Sequence, residues 1–324
     1  MTKLERIIVT LPPIAFIIRK SKQVIIPGFQ GLPLFDVVVF FMQQVQKLGF
    51  DERAAAIAFN LIMALPATML FLFSLIPYFP EFLDIKVQIL SLFKDISPSS
   101  NTYRFIVTLI DDLMTRNVGV FSFGFLLVFF YASNAMMAFI RTFDKSIKEK
   151  KEYFLHQRWR AIKLTGILIL LIIASLLVLF GQDQIATLIR KLFHLKRSTM
   201  MPWLNAVRWA IIFSLFFYGI AFIYKFAPSV EKRWKIASPG TLLATFLTLC
   251  TTIAFSYWVN NFASYNKVYG SIGTVLIIML LIYINALILL IGFELNVSIT
   301  YLTRHANERK AKEKALPVHF PGQL

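Results

Sequence analysis

Apolar residues are not scattered along this chain. They gather into six long runs, at about 54–79, 118–140, 161–181, 205–227, 238–260 and 272–298. Each is near or above the roughly 20 apolar residues that cross a bilayer core as a helix. The last run, TVLIIMLLIYINALILLIGFELN, starts just after Gly273. It holds one amide in its middle, Asn285, and one carboxylate near its end, Glu294. A bilayer gives the backbone no water to bond to, so each run must close its own hydrogen bonds as a helix. The pattern predicts an all-α, polytopic membrane protein with six transmembrane helices and additional amphipathic interfacial helices.

The segments between the runs are patterned too. Residues 34–49 (LFDVVVFFMQQVQKLG) are apolar first and polar later, which suits a helix lying in the interface before the first span. Residues 83–94 and 102–114 have helical periodicity, with Phe105, Leu109, Ile110 and Leu113 on one side. Ser97-Pro98-Ser99-Ser100-Asn101 separates them and supplies a turn and a cap. A helical hairpin over 81–115, resting on the membrane, is the expectation. The stretch IIVTLPPIAFII is broken by Pro12-Pro13 and is too short to span. The domain organisation that follows is a basic tail over 1–33, a membrane domain over 34–303 and a charged tail over 304–324, disordered past Lys314. Three spans reverse the chain's orientation, so the two three-helix halves would be topologically inverted, as in many transporters. No sequence match between the halves accompanies this.

Charge orients the spans. Segments 1–53, 141–160, 228–237 and 301–324 carry 22 Lys and Arg together, against 9 in the alternate segments 80–117, 182–204 and 261–271. Cytoplasmic loops carry the excess of positive charge. Both termini are therefore expected in the cytoplasm. The acid-rich segment 80–117, with Glu81, Asp84, Asp95, Asp111 and Asp112, is expected outside. The net charge of +17 is accounted for by this topology, and no nucleic-acid-reading module is visible. Hydrophobic residues at 57% and charged residues at 16% also depart from a soluble domain toward a lipid-facing surface.

Candidate chemistry is sparse. The single cysteine, Cys250, lies inside an apolar run, and His156, His194, His305 and His319 stand far apart in no metal-binding spacing. Neither a metal nor a cofactor is expected. At about 1.5 Å per helical residue, Asn60, Asn134, Glu294 and Asn296 fall in one layer of the cytoplasmic half. Glu294 is the only acid within the runs, and an ionisable group in a span is a functional candidate. It could equally be an interfacial carboxylate reaching water. Arg141 follows Asn134 by seven residues on the same helix face, at the depth of Glu294, which suggests a Glu294–Arg141 contact. Pro66 removes a backbone bond from the first span, which either bends it or frees carbonyls to line a cavity. Asn285 reads best as an interhelix hydrogen bond. On the outer side, Tyr257, Asn260, Asn261, Lys267, Tyr269 and Gly270 form an aromatic and amide cluster, or an ordinary aromatic belt.

The stretch from Ser238 to Asn296 resembles the C-terminal signature of the YihY/BrkB family of bacterial inner-membrane proteins. The marks are Pro239-Gly240, Phe255-Ser256-Tyr257, Tyr269-Gly270-Ser271, Tyr283, Gly292 and Glu294-Leu295-Asn296. RAAAIAFNLIMALPATMLF in the first span is similar to that family's first-helix motif. Ala64 stands where a Ser is usual, and Leu281 where Trp is frequent. The resemblance covers about residues 35–300 and implies six spans in a bacterial inner membrane. The family is associated by name with virulence and serum resistance, and some members are labelled ribonuclease. This chain has no His/Asp metal cluster for such an enzyme. The expected function is a transporter or lipid-handling permease with a cavity in the cytoplasmic half, formed by Glu294, Asn296, Asn60, Asn134, Arg141 and Pro66. The alternative is a non-catalytic envelope scaffold acting through the outside hairpin. The expected partners are membrane lipids, a small-molecule or lipid substrate and a second copy of the chain, and no nucleic acid.

Overall fold

The computed structural model describes Phe16, residues 19–47, 49–75, 118–147, 153–193, 197–230, 233–261 and 265–315, and a few positions between 104 and 112. Seven helices carry the described chain: α1 (Leu34–Lys47), α2 (Phe50–Leu75), α3 (Val118–Ser146), α4 (Phe154–Phe193), α5 (Arg197–Phe226), α6 (Pro239–Asn261) and α7 (Tyr265–Ala315). Local chemistry sets several of their ends. Gly49 takes a φ of 57° between α1 and α2, the left-handed conformation that ends helices. Asp51 and Glu52 fill the first turn of α2, where negative charge suits the helix dipole. Ser238 caps α6, accepting a 3.3 Å hydrogen bond from the Thr241 amide, and Pro239 takes the first helical position.

From α2 to α7 each helix packs against the next, and α7 returns to pack against α2. The six therefore close a ring in chain order, and α1 lies against α7 on its outside. Among the described residues five helices have spans long and apolar enough to cross a membrane, in α2, α3, α5, α6 and α7. The expected third span, 161–181, lies within the 40-residue α4. The first span was expected over 54–79, and its helix runs Phe50–Leu75.

One end of the ring is tightly packed. Here the start of α2, the end of α3, the starts of α4 and α6, the end of α5 and the later part of α7 meet; we call it the basal end. Phe143 of α3 stacks on Phe293 of α7 with parallel rings 3.7 Å apart. Tyr224 of α5 and Trp234 set their edges against Phe293, at 6.1 and 5.3 Å. The Tyr224 hydroxyl donates a 2.6 Å hydrogen bond to the Leu289 carbonyl, so a buried polar tip is satisfied. Closer still is the crossing of α6 over α7. A Cβ on Gly240 would strike the Gly292 carbonyl, and one on Gly292 would lie 2.6 Å from the Gly240 carbonyl. Only glycine allows two backbones this close, the usual device where packing rather than hydrophobic transfer joins helices.

The structure adds detail to the expected tails and the last span. Residues 24–33 are not a simple tail: Phe29 is buried with Val37 of α1 and Ile299 of α7, and Gly28, at a φ of 96°, turns against Pro239. The sixth span, expected over 272–298, is part of a helix that runs from Tyr265 to Ala315. Helix continues past residue 303 because NERKAKEKA is rich in strong helix formers, and Arg304 pairs with Glu308 at i,i+4. Of the segment 34–49, Leu34–Lys47 forms a helix that buries Val37 while exposing Val38, Val39 and Met42. The Pro12-Pro13 stretch and nearly all of the 81–115 hairpin lie outside the described residues.

Candidate functional site

Polar groups gather at the basal end both inside the ring and on its perimeter. Inside, Arg53 reaches from the first turns of α2 to Glu294 of α7, at 3.0 Å, with both side chains buried. Arg53 shares a stripe with Ala54, Ile57 and Ala58, all buried, so helical spacing turns its cation inward. Its other terminal nitrogen donates to the Thr142 carbonyl at 2.9 Å and to Ser146 Oγ at 2.6 Å. Ser146 Oγ in turn donates to Glu294 Oε1. The cation thus lies at the C-terminal end of α3, where the helix dipole favours positive charge. Three helices are tied by one charge knot, yet it is not saturated. Among the described residues Arg53 Nε and Glu294 Oε2 have no hydrogen-bond partner.

Asn296, two residues beyond Glu294, belongs to a different junction. Its Oδ1 accepts from the Gly240 amide at 2.9 Å, and its Nδ2 donates to Ser238 Oγ at 2.8 Å. It therefore completes the cap of α6 from α7. A third network fixes the α3–α4–α5 side. Asp144 pairs with Arg160 at 3.1 Å and accepts from the Ser229 amide at 3.0 Å, while Arg160 also donates to the Ala227 carbonyl at 3.0 Å.

On the perimeter, α2, α3 and α4 frame a groove of about 350 Å3. Asn60, Asn134, Arg141 and Arg158 supply its polar groups, and Phe130, Met137, Ala138 and Phe154 its apolar walls. Arg158 donates to Asn134 Oδ1 at 2.6 Å. Asn60 spends one donor on the Ala56 carbonyl of its own helix at 2.8 Å.

The expected cavity of six residues is therefore divided. Asn60, Asn134 and Arg141 do share a groove. Glu294 is inside the ring, Asn296 caps α6, and Pro66 is exposed on α2. The partner of Glu294 is Arg53, not Arg141, because Arg141 points along the outward strip of α3 with Phe130, Asn134 and Ala138. Asn285 donates to the Leu281 carbonyl of its own helix at 2.9 Å, rather than across to another. Of the outer cluster, Tyr257 is exposed near the end of α6; the side chains of Asn260, Asn261, Lys267 and Tyr269 lie outside the described residues. Arg53, Ser146 and Arg158 are the residues that sequence reasoning missed. For Arg53 the signal was its register with Ala54, Ile57 and Ala58. Among the described residues no three His, Cys, Asp or Glu side chains converge as metal ligands would.

A sequence profile of the virulence factor BrkB family matches residues 41–317, from α1 to beyond the end of α7. A protein named putative ribonuclease-like protein YfkH, from Bacillus subtilis, is 26% identical over 248 residues, covering 76% of this chain and 88% of that one. UPF0761 membrane proteins match over shorter stretches. One from Pseudoalteromonas translucida is 32% identical over 82 residues, 25% of this chain and 27% of its own. One from Xanthomonas campestris is 31% identical over 100 residues, 31% of this chain and 24% of its own. No solved structure matches the chain. With a profile match over most of its length and a bundle of apolar helices, the chain belongs to the virulence factor BrkB family of integral membrane proteins.

Proposed function

We propose that this is a non-catalytic permease of the bacterial inner membrane, moving a lipid or small molecule, with both termini in the cytoplasm. The observation that carries the reading is the buried charge knot of Arg53, Ser146 and Glu294 at the packed basal end. A buried ion pair is weak evidence for stability, since burial costs as much as pairing returns. Ionisable groups at membrane depth instead mark pathways and relays. The knot joins α2, α3 and α7, so breaking it would part three helices at once. Next to it, the Gly240–Gly292 crossing gives α6 and α7 a smooth surface on which to slide. In this reading the basal seal is the cytoplasmic gate. The name ribonuclease-like belongs to the Bacillus relative and is not carried to this chain.

Reconstituted vesicles test the lipid arm. Inner-leaflet phosphatidylglycerol bearing a fluorescent headgroup should become reducible by external dithionite faster than in protein-free vesicles. Arg53→Gln with Glu294→Gln removes the knot without leaving a lone charge, and should raise that rate further. Equal rates in vesicles with and without protein would refute the lipid arm and favour a scaffold. Orientation is tested separately. With Cys250 replaced, a cysteine at position 312 should resist an impermeant thiol reagent in intact spheroplasts, and one at position 99 should react. The reverse pattern would overturn the cytoplasmic placement of the termini.

A further inference from the structure

The basal end carries four arginines on α2, α3 and α4 whose surroundings differ in pairs. Arg53 and Arg160 each pair with a carboxylate, Glu294 and Asp144. Among the described residues no carboxylate lies within ion-pairing distance of Arg141 or Arg158. Both line the same perimeter groove, with Asn60 and Asn134 beside them.

Each of these two cations is held over an aromatic ring. The Arg141 guanidinium is 5.5 Å from the Phe154 centroid, and that of Arg158 is 5.6 Å from Phe130. Such contacts fix a cation in place without neutralising it. Two cations without a carboxylate partner among the described residues repel in one groove, and repel more strongly beside hydrocarbon than in water. An anion bound between them removes that cost.

The groove is also open on the outside of the ring. Phe130 and Phe154 are half exposed or more; Phe130 lies on the side of α3 opposite its buried stripe, and Phe154 begins α4. Further from the basal end, Phe59 and Met63 of α2 and Leu126 of α3 are exposed as well. They add exposed apolar surface to the same two helices. Trp159 with Lys163 stacked at 5.2 Å, and Phe226 flanked by Lys225 and Arg233, decorate the same end, as aromatic and basic residues do at a headgroup level. Basic recesses between transmembrane helices at that level suit phosphate headgroups.

We propose that this groove is a binding site for one anionic phospholipid. Arg141 and Arg158 grip its phosphate, Asn60 and Asn134 donate to its headgroup oxygens, and its acyl chains lie over Phe130, Phe59 and Met63. The site stands whether or not the protein transports anything, because it is on the perimeter and separate from the central knot.

Native mass spectrometry of the purified full chain tests it. The protein is equilibrated in detergent with equal amounts of phosphatidylglycerol and phosphatidylethanolamine of identical chains. One phosphatidylglycerol should be retained in preference. Arg141→Gln with Arg158→Gln should reduce the preference by about thirtyfold, the factor for about 1 kcal/mol at each of two cations. Arg141→Lys with Arg158→Lys keeps the charge and should retain most of it. Lys163→Gln, at the same level but outside the groove, should change it less than about twofold, within the usual effect of a surface substitution. Excess glycerol phosphate should not displace the lipid. Equal retention of the two lipids by the unaltered protein would overturn the proposal, and this arm needs no variant to fold. So would an equal loss in Lys163→Gln, which means a diffuse basic surface. Displacement by glycerol phosphate would mean a soluble phosphate ligand and would overturn it as well.

Discussion

Along α5, Ile220, Ala221, Ile223 and Tyr224 are buried at the basal end, while no described residue from Ala206 to Gly219 is. The same change occurs in three other helices. Among the described residues burial on α4 stops at Thr165 and on α6 at Thr248, and on α7 it begins at Ala286. The α2–α3 pair is the exception. It stays packed further out, where Gly124 of α3 lies against the Phe71 backbone and Ser74 is buried. The two halves of the bundle therefore obey different physics. The basal half is held by interdigitated aromatics, glycine crossings and polar knots. The distal half holds α4 to α7 together without any fully buried side chain among those described. Cohesion concentrated at one end leaves the other free to change its spacing at low cost.

Paired substitutions sharpen or break this contrast. The largest effect is expected at the knot. Glu294→Ala leaves the Arg53 cation buried alone, and should destabilise the protein by about 3–5 kcal/mol in detergent unfolding. Asn285→Ala, nearer the distal half on the same helix, should cost less than about 1 kcal/mol. Adding Arg53→Met to Glu294→Ala should restore most of the loss. Rescue by Arg141→Gln instead would return Glu294 to a perimeter partner. Next come the aromatics. Phe143→Ala opens a void beside Phe293 and should cost about 3 kcal/mol. Phe213→Ala, on a half-exposed ring of distal α5, should stay within about 0.5 kcal/mol. Equal melting temperatures for these two would erase the difference between the halves. The smallest pair is glycine. Gly240→Ala drives a methyl into the Gly292 carbonyl and should cost about 1–3 kcal/mol. Gly166→Ala meets nothing within 4 Å and should be neutral, or more stable by up to about 1 kcal/mol through helix propensity.

The fold was legible where physics is local. A run such as TVLIIMLLIYINALILLIGFELN declares its helix by length alone, whatever it packs against. The helix over Leu34–Lys47 was equally readable, because its segment runs from apolar to polar along its length. The site was less legible, because pairing between distant residues leaves no local trace. Arg53 follows Asp51 and Glu52 and so resembles one more charge at a helix start. Its buried register appears only once Ala54, Ile57 and Ala58 are known to face inward. Asn60, Asn134 and Arg141 were grouped with Glu294 by depth along their helices, and these three line the perimeter groove. Depth does not tell the inside of a ring from its perimeter, and that missing coordinate led to Arg141 as the partner of Glu294. The continuation of α7 past residue 303 was lost to its charge, which reads as a solvated tail although Ala, Glu, Lys and Arg are strong helix formers.

At about 1.5 Å per residue, the 51 residues of α7 make a rod of about 77 Å, more than twice the thickness of a bilayer core. Gly292 acts as a fulcrum along it, since α6 crosses there without side chains between. Ala315 lies 23 residues further on, about 35 Å away. A tilt of about 10° at the fulcrum would swing that tip by about 6 Å, by the same helical rise. A spin label or fluorophore near Ala315 would thus work as a pointer, magnifying sub-ångström slips at the Gly240–Gly292 contact into distances that solution methods measure directly.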